Sequence, residues 1–176
     1  MNLSKEPSRL QFVADAVEDI REQGNTLILV NSIEAGKELK KLIPGSEFVY
    51  GQTKQKDRSS TYKGVNTQET TVIIATYQVA SVGINIPRIF NLVLIEAGKS
   101  FVRVIQSIGR AIRVAKDKNF ARIFDISSDS KYSKKHLRER ESYYNEMEYP
   151  HDVTKGNYME CIDGIHEILM REKLDE

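Results

Sequence analysis

Short apolar runs alternate with longer periodic stretches along residues 7–126. Most of the runs are nearly continuous in apolar residues and of strand length, which is typical of parallel strands covered on both faces. In most of the longer stretches, apolar residues recur every three or four positions, as in helices with one buried stripe, whereas residues 54–66 are polar. Five strands are predicted in this way, over residues 26–30, 47–50, 71–75, 91–95 and 121–126. Helices are predicted over residues 7–23, 34–43, 54–66 and 100–114.

The alternation of strands and helices predicts an α/β fold. Because parallel strands need helical crossovers, we expect a doubly wound parallel sheet between helices, in three α/β/α layers. Asn31 and Ser32 follow the first strand as candidate caps of the next helix. The chain after Thr76 is interpreted as a loop that leads to Val82.

The pattern changes beyond residue 127. Residues 131–148 are highly charged and are predicted to form a helix at the edge of the domain. Residues 149–155 are predicted as an edge strand, a position at which Pro150 is tolerated. Residues 158–173 have the apolar spacing of a terminal amphipathic helix. We therefore predict a domain over residues 1–130 and a small C-terminal helical extension, residues 131–176, packed on it.

The predicted helix at residues 100–114 has two opposed faces. One is an apolar stripe of Phe101, Val104, Ile105, Ile108 and Ile112. The other carries Arg103, Gln106, Arg110 and Arg113, at i, i+3, i+7 and i+10. Guanidinium groups bind phosphate oxygens in a bidentate manner and stay charged at neutral pH. The pattern Gln-x-x-Gly-Arg-x-x-Arg therefore favours phosphate binding over a merely solvated face.

The net charge of +1 on these 176 residues hides an uneven distribution. Residues 99–140 hold 12 Lys and Arg against 4 Asp and Glu, whereas residues 141–176 hold 3 against 10. The basic segment indicates an anionic partner, with solvated charge as an equally weighted alternative. The one cysteine, Cys161, excludes a disulfide framework and fits a reducing interior. The apolar runs are too short to span a membrane, so no membrane partner is expected.

Gly98-Lys99-Ser100 invites comparison with a phosphate-binding P-loop, Gly-x-x-x-x-Gly-Lys-Ser/Thr. The position that needs the first glycine is Val93, in the middle of a predicted buried strand. A buried strand cannot also form the loop that wraps the phosphates. An independent P-loop enzyme is therefore the disfavoured hypothesis.

Several motifs together resemble superfamily 2 helicases, in their second RecA-like domain. Residues 75–87, ending in Val-Gly-Ile-Asn-Ile-Pro, resemble motif V, and Gln106-x-x-Gly-Arg-x-x-Arg113 resembles motif VI. Residues 26–32 resemble motif IV, and Gly51-Gln-Thr with Arg58 resembles the block that follows it. The resemblance covers about residues 24–126. The charged stretch at residues 131–149 is more narrowly similar to phage UvsW-type recombination DNA helicases.

The resemblance implies an ATP-binding role for two motifs. In this family, the motif VI arginines contact ATP that is held by the first RecA-like domain, which implies phosphate contacts for Arg110 and Arg113. Arg113 is the expected arginine finger, and Gln106 is expected near the γ-phosphate or the attacking water. Gly83 and Asn85 are the expected nucleotide-side residues of motif V. Asn85 replaces the aspartate of many relatives, and a turn-capping role is its alternative.

The resemblance also implies contacts with nucleic acid. Thr76 offers a hydroxyl and a backbone amide to a phosphate, with turn capping as the alternative. Asn31 and Ser32 are expected to offer amides at a helix start, although capping is the stronger interpretation for Asn31 alone. Gly51 is the fourth expected nucleic-acid residue. DNA is preferred over RNA through the narrower phage-type similarity, which also implies a cytoplasmic or nucleoid-associated place in an infected bacterial host.

The 176 residues contain no Walker A or Walker B pattern. We therefore expect half of an ATP site, inactive alone, with ATP and Mg²⁺ held mainly by an N-terminal RecA-like domain in the same or a separate chain. The leading hypothesis is the C-terminal motor domain of an ATP-dependent DNA helicase or translocase. A non-catalytic nucleic-acid-binding or adaptor module is the alternative. Whether the sequence is part of a longer protein is left open.

Overall fold

A computed structural model describes residues 7–65, 70–82, 89–98, 101–112 and 121–174. Its five strands are β1 (Thr26–Val30), β2 (Glu47–Val49), β3 (Val72–Thr76), β4 (Asn91–Ile95) and β5 (Arg122–Ile126). Its helices are α1 (Pro7–Ile20), α2 (Ile33–Leu42), α3 (Gln55–Val65), α4 (Tyr77–Ser81), α5 (Phe101–Ile112), α6 (Lys131–Glu146) and α7 (Tyr158–Leu174), and a 3₁₀ turn, Arg21–Gln23, follows α1. The predicted strands are confirmed to within a residue or two at each end.

The strands form one parallel sheet in the order β2-β3-β1-β4-β5. Alternate residues of each strand point to opposite faces, so each face acquires its own apolar core. In β1, Leu27 and Leu29 join the cluster that includes residues of α4, α5 and α6. Ile28 and Val30 join the cluster that includes residues of α1, α2 and α7. This arrangement confirms the predicted three-layer α/β/α fold.

The chain after Thr76 differs from its prediction. It forms the short helix α4, Tyr77–Ser81, rather than a loop. Thr76 caps this helix with its hydroxyl oxygen, and Tyr77 is buried with its own hydroxyl donating to the carbonyl oxygen of Ile95 at 3.0 Å. Five residues are too few to display a helical period, so the pattern carried no signal for α4.

The predicted edge strand at residues 149–155 is wrong, because this segment is irregular and lies outside the sheet. Glu148 has a left-handed backbone with φ of 57°, which turns the chain back at the end of α6. The Tyr149 amide then donates to the Tyr144 carbonyl at 2.8 Å, and the Tyr149 ring packs on those of Tyr143 and Tyr144. These contacts hold the segment against α6.

Candidate functional site at the carboxyl edge of the sheet

The predicted nucleic-acid residues all follow or end a strand at one edge of the sheet. Thr76 is the last residue of β3, Asn31 and Ser32 follow β1, and Gly51 follows β2. Because all five strands are parallel, their carboxyl ends meet at that edge. Ligands of open parallel sheets bind there, where neighbouring connections diverge to opposite sides. In this strand order the divergence lies between β1 and β4, next to Asn31.

Of the two candidate caps after β1, Ser32 caps the helix. Its hydroxyl oxygen accepts a hydrogen bond from the Ala35 amide at 3.2 Å. Asn31 is exposed, and its side-chain amide donates to the backbone carbonyl of Glu96 at 2.9 Å. Asn31 therefore links the ends of β1 and β4 across the crevice, while its role toward nucleic acid stays a prediction.

Thr76 and Gly51 lie at the ends of the adjacent strands β3 and β2. Thr76 is 7% exposed, and its hydroxyl accepts a hydrogen bond from the Val79 amide at 3.4 Å. The structural alternative left open by the sequence, a turn cap, is therefore realised. Gly51 is exposed, and a β-carbon added there would lie 3.8 Å from the side-chain oxygen of Gln78. Their contacts with nucleic acid remain predictions.

Helix α5 has the two predicted faces over its first half. Phe101, Val104 and Ile105 are buried against the sheet, whereas Arg103 and Gln106 are exposed. A polar helix face turned outward in this way has the chemistry to receive a polyphosphate. The Arg110 backbone lies in α5, but its side chain is outside the described part of the chain, as are Arg113, Gly83 and Asn85. The roles implied for these four residues stay predictions.

A buried carboxylate that we did not predict, Glu96, lies where β4 ends. Its backbone is left-handed, with φ of 48°. One carboxylate oxygen accepts hydrogen bonds from the Ser128 amide, at 2.7 Å, and from Arg9, and the other accepts from the Ser133 hydroxyl. With Asn31 on its carbonyl, Glu96 connects α1, β1, the loop after β5 and α6. In the sequence, Glu96 is marked only as a single charged residue that directly follows the apolar run at residues 91–95.

Opposing effects set the ionisation of Glu96. Burial on its own would raise the pKa of this carboxyl group, because it disfavours the charged form. The hydrogen bonds from Ser133, Ser128 and Arg9, together with the Arg9 charge, outweigh burial and hold the pKa below the usual 4.5. Glu96 is therefore a carboxylate at neutral pH, paired with an Arg9 side chain that is 7% exposed.

A second buried ion pair joins the C-terminal extension to the sheet. Arg140 of α6, 1% exposed, donates to both carboxylate oxygens of Asp125 in β5, at 2.7 and 2.9 Å. It also donates to the Ala97 carbonyl at 2.5 Å and to the Ser127 hydroxyl. The Tyr144 hydroxyl completes the group by donating to Asp125 at 2.8 Å. Burial raises the pKa of Tyr144, and the Asp125 charge adds to that shift, so its hydroxyl stays protonated.

The described part of the chain lacks both a membrane-spanning helix and a cluster of metal-ligating side chains. No helix there is long and apolar enough to cross a membrane. Within the same residues, no group of three or more His, Cys, Asp or Glu side chains is arranged to hold a metal ion.

Residues 8–115 match the family described as the helicase conserved C-terminal domain, and this match covers more than half of the chain. The chain belongs to that helicase domain family. The match includes all four strand ends discussed above and the polar face of α5. It therefore agrees with the resemblance that motifs IV, V and VI carry in the sequence.

Two curated viral proteins are similar to this helicase domain. A protein of a Sulfolobus islandicus filamentous virus, provisionally named helicase 22, is 30% identical over 104 residues, which is 57% of the chain and 18% of that protein. The ATP-dependent DNA helicase UvsW of Enterobacteria phage T4 is 24% identical over 132 residues, 73% of the chain and 26% of that protein. The chain thus spans about a fifth to a quarter of the length of these relatives.

Solved structures show the same fold. The T4 UvsW crystal structure superposes with a TM-score of 0.64 at 24% identity, over 82% of this helicase domain and 33% of that chain. The C-terminal domain of the DEAD-box protein Dbp5 gives 0.60 at 18% identity, over 88% and 91% of the two chains. The fold is therefore that of a second RecA-like helicase domain, and the similarity to UvsW holds in both sequence and structure.

Proposed function

We propose that this chain is the C-terminal motor domain of an ATP-dependent DNA helicase or translocase. The observation that carries the proposal is the helicase family match over residues 8–115, which ends on the motif at Gln106–Arg113. The motor is completed by an N-terminal RecA-like domain, in the same or a separate chain, which holds ATP and Mg²⁺. ATP hydrolysis supplies the free energy, and this domain contributes one wall of the cleft.

In this proposal the polar face of α5 serves the nucleotide. Arg113 is the arginine finger that offsets charge on the γ-phosphoryl group, and Arg110 binds a neighbouring phosphate oxygen. Gln106 lies near the γ-phosphate, and Gly83 and Asn85 line the nucleotide side. The exposure of Arg103 and Gln106 on α5 supports this assignment, because the sequence pattern predicts Arg110 and Arg113 on the same face.

The nucleic-acid track is proposed along the strand ends, at Thr76, Asn31, Ser32 and Gly51. DNA unwinding or branch migration is proposed because the T4 relative is named a DNA helicase. RNA is the competing substrate, since one structural neighbour, domain 2 of the Mss116p DEAD-box helicase, was solved on an RNA duplex, with a TM-score of 0.56. Roles in recombination and repair are part of the proposal through the resemblance of residues 131–149 to phage UvsW-type recombination helicases.

The decisive experiment joins this chain to its N-terminal RecA-like domain and measures DNA-stimulated ATP hydrolysis. Arg113→Ala is expected to lower turnover by roughly 1,000-fold or more, the usual worth of an arginine finger, while DNA affinity is retained. Arg171→Ala is the matched control, because Arg171 is exposed on α7 in the opposite layer, and it should leave turnover unchanged.

Two outcomes would contradict the proposal in different ways. Unaltered turnover in Arg113→Ala would remove the finger assignment while leaving the motor intact. DNA binding without any DNA-stimulated hydrolysis in the joined protein would favour the non-catalytic adaptor module. The chain by itself is expected to hydrolyse ATP at a negligible rate.

A further inference from the structure

The first two turns of α6 carry an unusual concentration of positive charge. Residues 131–138 include Lys131, Lys134, Lys135 and Arg138 but no acidic residue. Cations at a helix N-terminus are opposed by the helix dipole, which favours acidic residues there. The arrangement therefore lowers folding stability. A destabilising cluster of charges of this kind is the reason to consider α6 as a binding surface.

The cations lie on the face of α6 that points away from the domain. Ser133, Arg140 and Tyr144 form the buried side of the helix. Lys131, Lys135 and Arg138, at i, i+4 and i+7, are exposed on the opposite side. We call these three residues, together with Tyr132, the α6 basic face. Tyr132 lies one turn from Lys135 and is 78% exposed, the largest exposed fraction among the large hydrophobic residues that the structure describes.

The cations of this face form no close ion pairs with the described residues. Lys134 pairs with Asp129 at 2.7 Å. Within the described residues, Lys131, Lys135 and Arg138 have no ion-pair partner. The two lysines in the last turn of α2 are paired in contrast, Lys41 with Glu38 at 2.8 Å and Lys40 with Glu47 at 3.8 Å. Three cations without close ion pairs, on the same helix as one exposed aromatic ring, are complementary to a polyanion that also has flat apolar groups.

The α6 basic face lies at the edge of the sheet where nucleic acid is proposed to bind. The Ser133 hydroxyl, in the first turn of α6, donates to the Glu96 carboxylate, and Asn31 donates to the Glu96 carbonyl. One residue therefore contacts both the end of β1 and the first turn of α6. Lys131 and Tyr132 directly precede Ser133 in the chain, so they lie in the same first turn of α6.

We propose that the α6 basic face binds single-stranded nucleic acid as an extension of the track along the strand ends. Lys131, Lys135 and Arg138 contact successive phosphates, and the Tyr132 ring stacks on an unpaired base. The inference rests on the proposed function in one respect, that the chain binds nucleic acid. It adds a site outside motifs IV to VI, in the C-terminal extension.

The chemistry of the face favours a nucleic-acid strand over other polyanionic partners. Membrane-surface helices insert a broad apolar face, whereas the apolar side of α6 is buried in the domain. A stable protein partner needs an apolar interface core, and Tyr132 is the one large apolar side chain exposed on this part of α6. A single aromatic ring beside several cations suits a nucleic-acid strand, in which flat bases alternate with charged phosphates.

The test measures binding of a fluorescein-labelled oligothymidylate to the 176-residue chain by anisotropy between about 50 and 200 mM salt. Tyr132→Ala should weaken binding at least about fivefold, and Tyr132→Phe should restore it, because stacking needs the ring and not the hydroxyl. Lys131→Ala/Lys135→Ala should reduce the slope of log affinity against log salt by about 1.4, roughly 0.7 for each lost phosphate contact.

A matched control removes the same charge from the opposite edge of the sheet. Lys40 and Lys41 end α2, far from the carboxyl ends of the strands, and Lys40→Ala/Lys41→Ala should leave the salt slope near that of the unaltered chain. A blunt duplex should lose affinity with the lysine variant but not with Tyr132→Ala, since its bases are already stacked.

Three results would overturn the proposal. Equal strand affinity in the unaltered chain and all α6 variants would remove this site while leaving the proposed function in place. No strand binding by any protein, unaltered chain included, would also remove this site, while DNA-stimulated hydrolysis in the joined protein would still decide the proposed function. Unchanged strand affinity with lost binding to a polyglutamate peptide would reassign the face to an acidic protein.

Discussion

At the scale of single residues, Glu96 links the segments that meet at the carboxyl ends of β1 and β4, where the connections after these strands diverge. It uses both carboxylate oxygens and its carbonyl to bind groups from four other segments. Its positive φ is a conformation that costs an L-residue about 1 kcal/mol or more, so the surrounding bonds must offset this strain. Because Asn31 depends on the Glu96 carbonyl, the geometry of the predicted nucleic-acid edge depends on this one residue.

Glu96→Gln is expected to lower the free energy of unfolding by about 3 kcal/mol at pH 7, since the amide keeps an acceptor but leaves the buried Arg9 charge uncompensated. The folded pKa of Glu96 is lowered, so the folded state binds fewer protons there than the unfolded state. Its stabilisation is therefore present above the unfolded pKa and is lost as pH falls through the folded pKa. Urea unfolding should show the difference between the two proteins shrinking below pH 4.5.

Glu38→Gln is the control for that measurement. Glu38 forms an exposed pair with Lys41, with more than half of its side chain accessible, so its loss should change stability by no more than about 0.5 kcal/mol. A Glu96→Gln difference that stays constant from pH 7 to below pH 4 would show that shape and not charge is responsible.

At the scale of elements, α6 is attached to the sheet by a polar contact in an otherwise apolar layer. Arg140 reaches from the helix to Asp125 of β5 and to the carbonyl of Ala97, in the connection that precedes α5. The rings of Tyr143 and Tyr144 pack edge-on against Phe101 at the start of α5. The extension therefore contacts the helix on which the predicted phosphate-binding residues lie.

Arg140→Met is expected to lower the free energy of unfolding by about 3 kcal/mol or more, because Asp125 would remain buried without its cation. Arg138→Ala, on the exposed side of the same helix, should change it by no more than about 0.5 kcal/mol. Chemical denaturation of both variants provides the comparison. Equal, small losses would show that the pair contributes no more than a surface ion pair.

The elements also show what the sequence could and could not predict. The strands were predicted because five apolar runs had the length and flanks of buried strands, and the first half of α5 followed from one clear period. Helix α4 was missed because it depends on the Thr76 cap and not on a pattern. The prediction of an edge strand at residues 149–155 was wrong because this segment is positioned by tertiary aromatic contacts with α6, which leave no pattern in the sequence. The buried ion pairs of Glu96 and Arg140 were not predicted, because only the fold brings these residues to their partners.

At the scale of the whole molecule, the C-terminal extension contributes one helix to the layer on each face of the sheet. Helix α6 contributes Tyr144 to the cluster shared with α5, and α7 contributes Leu169 to the cluster shared with α1. Tyr158, at the start of α7, stacks on Phe12 of α1 with ring centroids 5.2 Å apart. These contacts lead us to expect that residues 131–176 unfold together with the sheet, in agreement with the prediction that this extension packs on the same domain.

Leu169→Ala tests this cooperativity, because Leu169 is 5% exposed in the α1 layer. Removing its buried methyl groups should lower the free energy of unfolding by about 2–3 kcal/mol and shift a single transition for the whole chain. Met170→Ala, at the neighbouring position with 58% exposure, should shift it little. If circular dichroism and tyrosine fluorescence instead separate into two transitions, α7 unfolds on its own. Helix α7 would then be a distinct unit, able to separate from α1 while α6 stays attached to the sheet through Arg140 and Asp125.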